Sequence, residues 1–371
     1  MTLTVTPSPA LHQSSRPAPL HGRLNALRRR VAALLVRHLL PPGFRGVGAG
    51  QLPRAGIHRV LVCRPNHRLG NTVLMMPLLA ELERHFPGAE VDVFGAGDAA
   101  RDVYAGFGTL GRLWLLHAHA LAHPLATLGT LRRLRRRSYD LVIDAASGST
   151  SSRLAAALVR ARFRLLVGEV EGPRPAHLAA RPVHALRWAL GADPSLPLPS
   201  PDLHLAPHER AEGRRALLQV LGAAPAERPV LVVFPNATGS KRLPADWWRG
   251  FLDGLLQRIG PHHIVELVAA DGVSRLDNAY PTYFTSDLRR LAAFIDAAGT
   301  YISADCGVMH LAAATSAITI GLFRSTDPRR YAPYGAGKVG LVCADDPQLT
   351  ATEVAHYLET QRGPCRSAMA G

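Results

Sequence analysis

Tyr301-Ile-Ser-Ala-Asp305-Cys-Gly307-Val-Met-His310-Leu-Ala-Ala-Ala314 is the stretch on which the reading of this chain turns. The apolar run ending at Ser303 reads as a strand and the residues from His310 as a helix, with an acid, a glycine and a histidine between Asp305 and His310. A strand that turns through glycine into a helix presents backbone N–H groups and a positive helix end, where anions bind. Taken alone, the stretch favours a plainer reading: Asp305 stands where an N-cap would be, and His310 is a core histidine.

Moving outward, the same alternation recurs. In the first half, Arg59–Cys63 is a buried-type strand, followed by the loop Arg64–Asn71 and a helix from Thr72 to Phe86, stopped by Pro87-Gly88. Strands at Glu90–Phe94, Leu113–Leu116 and Tyr139–Asp144 follow, the last preceded by a basic helix within Leu121–Arg137. A Pro-rich stretch, Asp193–Pro201, marks a boundary. Beyond it, strands at Pro229–Phe234, His263–Val268, Gly299–Ser303 and Ala317–Phe323 alternate with helices at Trp247–Ile259, Ser286–Ala298 and from His310. This pitch means α/β architecture with parallel, doubly wound sheets. Two Rossmann-like αβα domains around a central cleft follow, with sites at the carboxyl ends of the strands. The expected division is a disordered tail (1–20), a basic amphipathic helix (21–42), a first domain (43–205) and a second (206–371). A last helix at about 350–362 is expected to pack back on the first domain.

Composition narrows the class. With 47% hydrophobic and 19% charged residues over 371 positions, the chain has enough apolar content for two cores. It contains no apolar run long enough to span a bilayer, and its first 20 residues lack the apolar core of a secretory signal. Four cysteines (Cys63, Cys306, Cys343, Cys365) without CxxC spacing suit a reducing cytoplasm and argue against structural zinc. The net charge of +15 implies a polyanionic partner: nucleic acid, anionic lipid or phosphorylated glycolipid. Nucleic acid ranks last, since no recognisable module is present. Leu24, Leu27, Val31, Leu34, Leu35 and Leu39 recur at helical spacing among arginines. Residues 23–40 therefore suit an anionic membrane surface, or equally the body of the protein with solvated arginines.

Phe234-Pro-Asn-Ala-Thr-Gly-Ser-Lys241-Arg-Leu-Pro244 leaves a strand, crosses a Gly/Ser turn and enters a helix. Thr238, Ser240 and free N–H groups suit phosphate oxygens, and Lys241 supplies a mobile charge for a diphosphate leaving group. The spacing is not that of a Walker A loop, and an exposed, merely solubilising loop is the other reading. Arg64–Asn71 is not GxGxxG, so no dinucleotide cofactor is indicated. Within it, His67 is either a proton carrier or a solvated loop histidine. Asp144 either bonds a sugar hydroxyl or serves its own turn.

Taken together, the chain resembles glycosyltransferase family 9, the ADP-heptose:lipopolysaccharide heptosyltransferases, over roughly residues 58–362. The resemblance rests on Val60–Arg64 with Leu69-Gly-Asn-Thr-Val-Leu-Met-Met-Pro-Leu-Leu79, on Tyr139–Asp144, on Pro235 through Lys241-Arg-Leu-Pro244, and on Asp305-Cys-Gly-Val-Met-His310-Leu. It implies a GT-B fold and an inverting, metal-independent transfer of heptose or a related sugar. The donor is a nucleotide-sugar, ADP-heptose or similar, used as substrate with no cofactor; the acceptor is lipopolysaccharide or another anionic glycolipid or polysaccharide. It makes residues 43–205 the acceptor side and 206–371 the nucleotide-sugar side. On the donor it places Thr238, Gly239, Ser240, Lys241, Asp305, Gly307, Val308, Met309 and His310. On the acceptor side it places Arg64, Arg68, Gly70 and Asp144. A cytoplasmic enzyme, peripheral on the inner face of the inner membrane, is the expected setting.

Two departures stand out. The family's Gly-Asp, whose carboxylate is taken as the base, is Gly70-Asn71 here, and an amide cannot accept a proton near neutrality. His67 is the first replacement to consider. Leu243 replaces a common Trp, which is expected to alter a donor contact. The first departure motivates a second reading, a relative that binds nucleotide-sugar or glycan without efficient turnover.

Overall fold

The computed structural model describes residues 44–117, 124–146, 149–222 and 228–362. The expected tail, the basic helix at 21–42 and Cys365 lie outside the described residues. In chain order the first half runs β1 (Arg59–Cys63), α1 (Leu69–Val73), α2 (Met76–His85), β2 (Glu90–Ala96), α3 (Ala99–Tyr104), β3 (Leu110–Leu116), α4 (Pro124–Arg135), β4 (Ser138–Asp144), α5 (Thr150–Leu158), β5 (Arg160–Leu166) and α6 (Ala180–Leu190). Its strands form one parallel sheet in the order β3-β2-β1-β4-β5. The second half runs α7 (Pro207–Val220), β6 (Val230–Phe234), α8 (Ala245–Ile259), β7 (His263–Leu267), β8 (Thr282–Tyr283), α9 (Leu288–Ala298), β9 (Thr300–Ala304), α10 (Gly307–Ala313), β10 (Ile318–Phe323), α11 (Pro328–Tyr331), β11 (Lys338–Val342) and α12 (Pro347–Arg362). This sheet is also parallel, ordered β11-β10-β9-β6-β7-β8.

The central strands are apolar without alternation because helices cover both faces. All five residues of Val230-Leu-Val-Val-Phe234 are buried, as are the last four of Arg59-Val-Leu-Val-Cys63. Each sheet reverses its winding once, beside β1 in the first and β6 in the second, which is where such folds place ligands. Register brings the relevant strand ends level: Cys63 lies opposite Asp144, and Phe234 opposite Ser303.

Three local outcomes differ from the sequence expectation. The helix expected from Thr72 to Phe86 is two helices, α1 and α2. Pro77 explains the break, since it has no N–H to give the carbonyl of Val73 and its ring crowds that group. Asp305 is not the N-cap of α10: that position is Cys306, without a side-chain cap bond, and Asp305 is engaged elsewhere. The last helix, α12, does not return to the first domain. Its Ala351, Val354, Ala355 and Leu358, at helical spacing, join Trp247, Trp248 and Phe251 of α8 in a core within the second half.

One hydrophobic core runs from the first sheet through α1 and α2 into the α9 and α10 side of the second sheet. The Pro-rich stretch forms no regular structure and is clamped by Arg187 of α6. Its Nη1 donates to Leu196 O at 2.5 Å and its Nη2 to Pro197 O at 3.0 Å, while Nε and Nη2 also grip Glu81 of α2 at 2.7 and 2.9 Å. Among the described residues no helix is long and apolar enough to cross a membrane.

Candidate active site

The three loops that leave β6, β9 and β10 converge because those strands are neighbours. After β6 the chain extends through Thr238, then makes a single 3-10 turn, Gly239–Lys241, that Gly239 permits with φ of +62°. The turn directs Lys241 to Asp305, just past β9, with Nζ 2.6 Å from Oδ2. Thr326, just past β10, donates to the same oxygen. Asp305 is buried, whereas the Lys241 side chain is 31% exposed, so the ion pair is closed on the protein side and open on the other. Thr238, Gly239 and Ser240 are exposed, with Ser240 Oγ 3.1 Å from Ser325 Oγ.

His310 lies one turn into α10, 6% exposed, with its ring against Gly70 of α1. A Cβ on Gly70 would lie 2.6 Å from His310 Cδ2, and one on Gly307 would lie 3.1 Å from Leu69 Cβ. Two glycines, one from each half, thus let the starts of α1 and α10 touch. Burial pushes the His310 imidazole down to about 4, helped by His177 and Lys241 and opposed by Asp305, so it is neutral near pH 7. His177 is also held down by burial; its Nε2 donates to Ala332 O at 2.9 Å and its Nδ1 accepts from Ala179 N at 3.3 Å.

In the first half, Arg64 comes directly after β1. Its Nη1 donates to Ala145 O at 3.0 Å and its Nη2 to Asn71 Oδ1 at 3.3 Å, and burial lowers its pKa. The Arg64 Nε is buried without a partner among the described residues. Asp144 ends β4 and is buried; it accepts from Ser152 Oγ and, at 3.3 Å, from Ala146 N. Burial pushes its carboxyl up to about 6. These bonds serve the turn into α5, the plainer of the two roles open to it.

The expected residues therefore assemble in two groups. Lys241, Asp305, Gly307, His310 and Gly70 meet directly or through one neighbour, and Arg64 ties Asn71 to the end of β4. Val308 is half-buried on α10. Met309 is fully buried, its Sδ seated over Gly321 of β10, so its side chain is core. Leu243 is also core, packed in the cluster with Trp247 and Trp248 rather than at the donor face. His67 and Arg68 are exposed, and His67 lies against Gly97 after β2. Sequence reasoning missed Thr326 and His177. Thr326 was legible in principle, standing just beyond an expected strand; His177 lies in a loop of the other half, where no local pattern marks it. Among the described residues no group of three or more His, Cys, Asp or Glu is placed to share a metal ion.

Two parallel α/β sheets whose switch points open on a common site define the GT-B fold. The chain belongs to glycosyltransferase family 9 (heptosyltransferase), whose model matches residues 128–357. Solved structures share the fold. The Escherichia coli heptosyltransferase WaaC with ADP is 20% identical, covering 82% of this chain and 99% of that one, with a TM-score of 0.62. A family 9 glycosyltransferase from Veillonella parvula is 15% identical over 83% and 91%, TM-score 0.65. The E. coli ADP-heptose lipopolysaccharide heptosyltransferase II is 16% identical over 82% and 100%, TM-score 0.60. Comparison with curated proteins returns no match.

Proposed function

We propose that this protein is an inverting, metal-independent glycosyltransferase that moves a heptose or related sugar from a nucleoside-diphosphate sugar to a bacterial surface glycan. The observation that carries this reading is the half-open Lys241–Asp305 pair at the meeting of α1 and α10. Breaking a glycosyl–phosphate bond leaves growing negative charge on the diphosphate, and an ammonium fixed at that place stabilises it more in the transition state than in the ground state. Because α10 has only seven residues, its dipole adds little, and the lysine supplies most of the charge. Asp305 anchors the lysine through Oδ2, while its Oδ1 accepts no bond among the described residues and is available to a sugar hydroxyl. The ADP held by one of the related E. coli structures supports an adenine nucleotide donor. On the acceptor side, Arg64 and Asn71 would orient the attacking hydroxyl.

The test is release of nucleoside diphosphate from a panel of ADP-, GDP-, UDP- and CMP-sugars with acceptor present, with and without chelator. Release from one donor, unaffected by chelator, is expected. In that assay Lys241→Ala should lower kcat by on the order of a hundred-fold. Failure of every donor to bind in calorimetry would overturn the proposal.

Arg64 bonding to an amide where a carboxylate is expected favours a second reading, a binder of nucleotide-sugar or glycan with weak turnover. Asn71→Asp would place a carboxylate beside Arg64 and should raise turnover at least ~10-fold, since a positioned general base contributes roughly 10²–10⁴. An unchanged rate would show that the proton leaves by another route.

A further inference from the structure

Strand β3 is the outermost strand of the first sheet, and a groove of about 770 Å³ runs between its edge and α4. Five arginines line it, Arg101, Arg112, Arg133, Arg136 and Arg137, together with Trp114. None of these belongs to the candidate active site. Arg137 is neutralised by Asp92 at 2.8 Å and by Glu90 at 3.5 Å, and Arg101 lies 3.9 Å from Asp98. Arg112, Arg133 and Arg136 are exposed and have no acidic partner among the described residues. No acid occurs anywhere between residues 124 and 137. Three guanidiniums without an acidic partner around one concavity select for phosphate-bearing anions.

The face that α4 turns outward identifies the source of those phosphates. Leu125, Leu128 and Arg132 follow one another at helical spacing, Arg136 comes one residue past the helix end, and the two leucines are 83% and 45% exposed. A soluble phosphate compound would leave both leucines in water. A single-stranded nucleic acid would call for exposed aromatic rings, yet Trp114 is buried with its indole N–H given to Asp92 at 3.0 Å, and a duplex held by its phosphates would also leave both leucines in water. Exposed leucines beside arginines without an acidic partner match the boundary between headgroups and acyl chains.

We propose that the β3 edge and the outer face of α4 dock on an anionic bilayer, with lipid headgroup phosphates against Arg112, Arg133 and Arg136 and with Leu125 and Leu128 at the acyl boundary. The test of this surface needs neither donor nor turnover, so a catalytically silent protein would still pass or fail it.

The full chain is sedimented with vesicles of phosphatidylcholine alone and of phosphatidylcholine mixed with phosphatidylglycerol. Arg112→Ala/Arg133→Ala/Arg136→Ala should lose on the order of a hundred-fold in partitioning to the anionic vesicles. The matching triple lysine variant should retain most of it. Leu125→Ser/Leu128→Ser should weaken vesicle binding several-fold while leaving calorimetric binding of glycerol 1-phosphate unchanged. Circular-dichroism melts confirm that each variant is folded, and the N-terminal 42 residues are present in all. Parent-like partitioning of the triple alanine variant would overturn the proposal. So would vesicle binding that ignores the leucines while glycerol 1-phosphate binds tightly, which would make the groove a site for soluble phosphates.

Discussion

Asp144 and His310 are buried on opposite sides of the site, and burial moves their titrations toward one another. Asp144 is raised to about 6 from an unfolded value near 4, so between those limits the folded protein retains a proton that the unfolded chain has released. Stability contributed by this group therefore falls as pH rises through that window. His310 is lowered to about 4 from an ordinary value near 6.5, so below 6.5 the unfolded chain takes up the proton first. Its contribution falls as pH drops toward 4, and over most of the range the two effects oppose each other. Asp144→Asn keeps the carbonyl that accepts from Ala146 and Ser152 but removes the titration. It should gain about 1–2 kcal/mol at pH near 7 and nothing near pH 4, leaving a steeper acid limb governed by His310. Urea midpoints at the two pH values check this; an equal gain at both would mean that the carboxyl is not raised.

At the scale of elements, the contact between α1 and α10 sets the site's geometry, and glycine makes it possible. Gly70→Ala places a methyl 2.6 Å from the His310 ring carbon, well inside contact distance, so the ring or α1 has to move. A cost of about 1–3 kcal/mol is expected, with weaker donor binding as His310 and its neighbours shift. Thermal melts and donor titrations report the two effects; parent values for both would show that the helices part in solution. Element types were largely legible from hydrophobic runs and breakers, as at β1, β4, β6, β9 and β10. What was missed follows from the same physics. Pro77 was read as part of a helix that it divides, and β5, Arg160-Ala-Arg-Phe-Arg-Leu-Leu166, is an edge strand whose arginines mask its periodicity. Asp305 fits the pattern of a cap but is drawn off by Lys241, which lies 64 residues earlier in the chain.

At the scale of the whole molecule, the two halves are joined by the shared core and by the clamp on the linker. Arg187 is 3% exposed and Glu81 fully buried, so Arg187→Ala would leave a carboxylate in the core and two linker carbonyls unpaired. His85, 3.0 Å from Glu81, offsets this only in part. A loss of about 3–5 kcal/mol in denaturant unfolding is expected, and a loss under ~1 kcal/mol would mean that the linker is held by its other contacts. The sequence alone determined the α/β class, the two-sheet organisation, the positions of the loops that form the candidate site and the family resemblance, because each is written in local periodicity or a short motif. Only the tertiary structure decided that Lys241 is bound to Asp305, that His310 is neutral beneath Gly70, that Met309 and Leu243 are core, and that Arg64 holds Asn71. Apart from the Arg64–Asn71 bond, which spans only seven residues of one loop and helix start, each of those depends on contacts between elements that no local pattern pairs, and on the desolvation that those contacts impose.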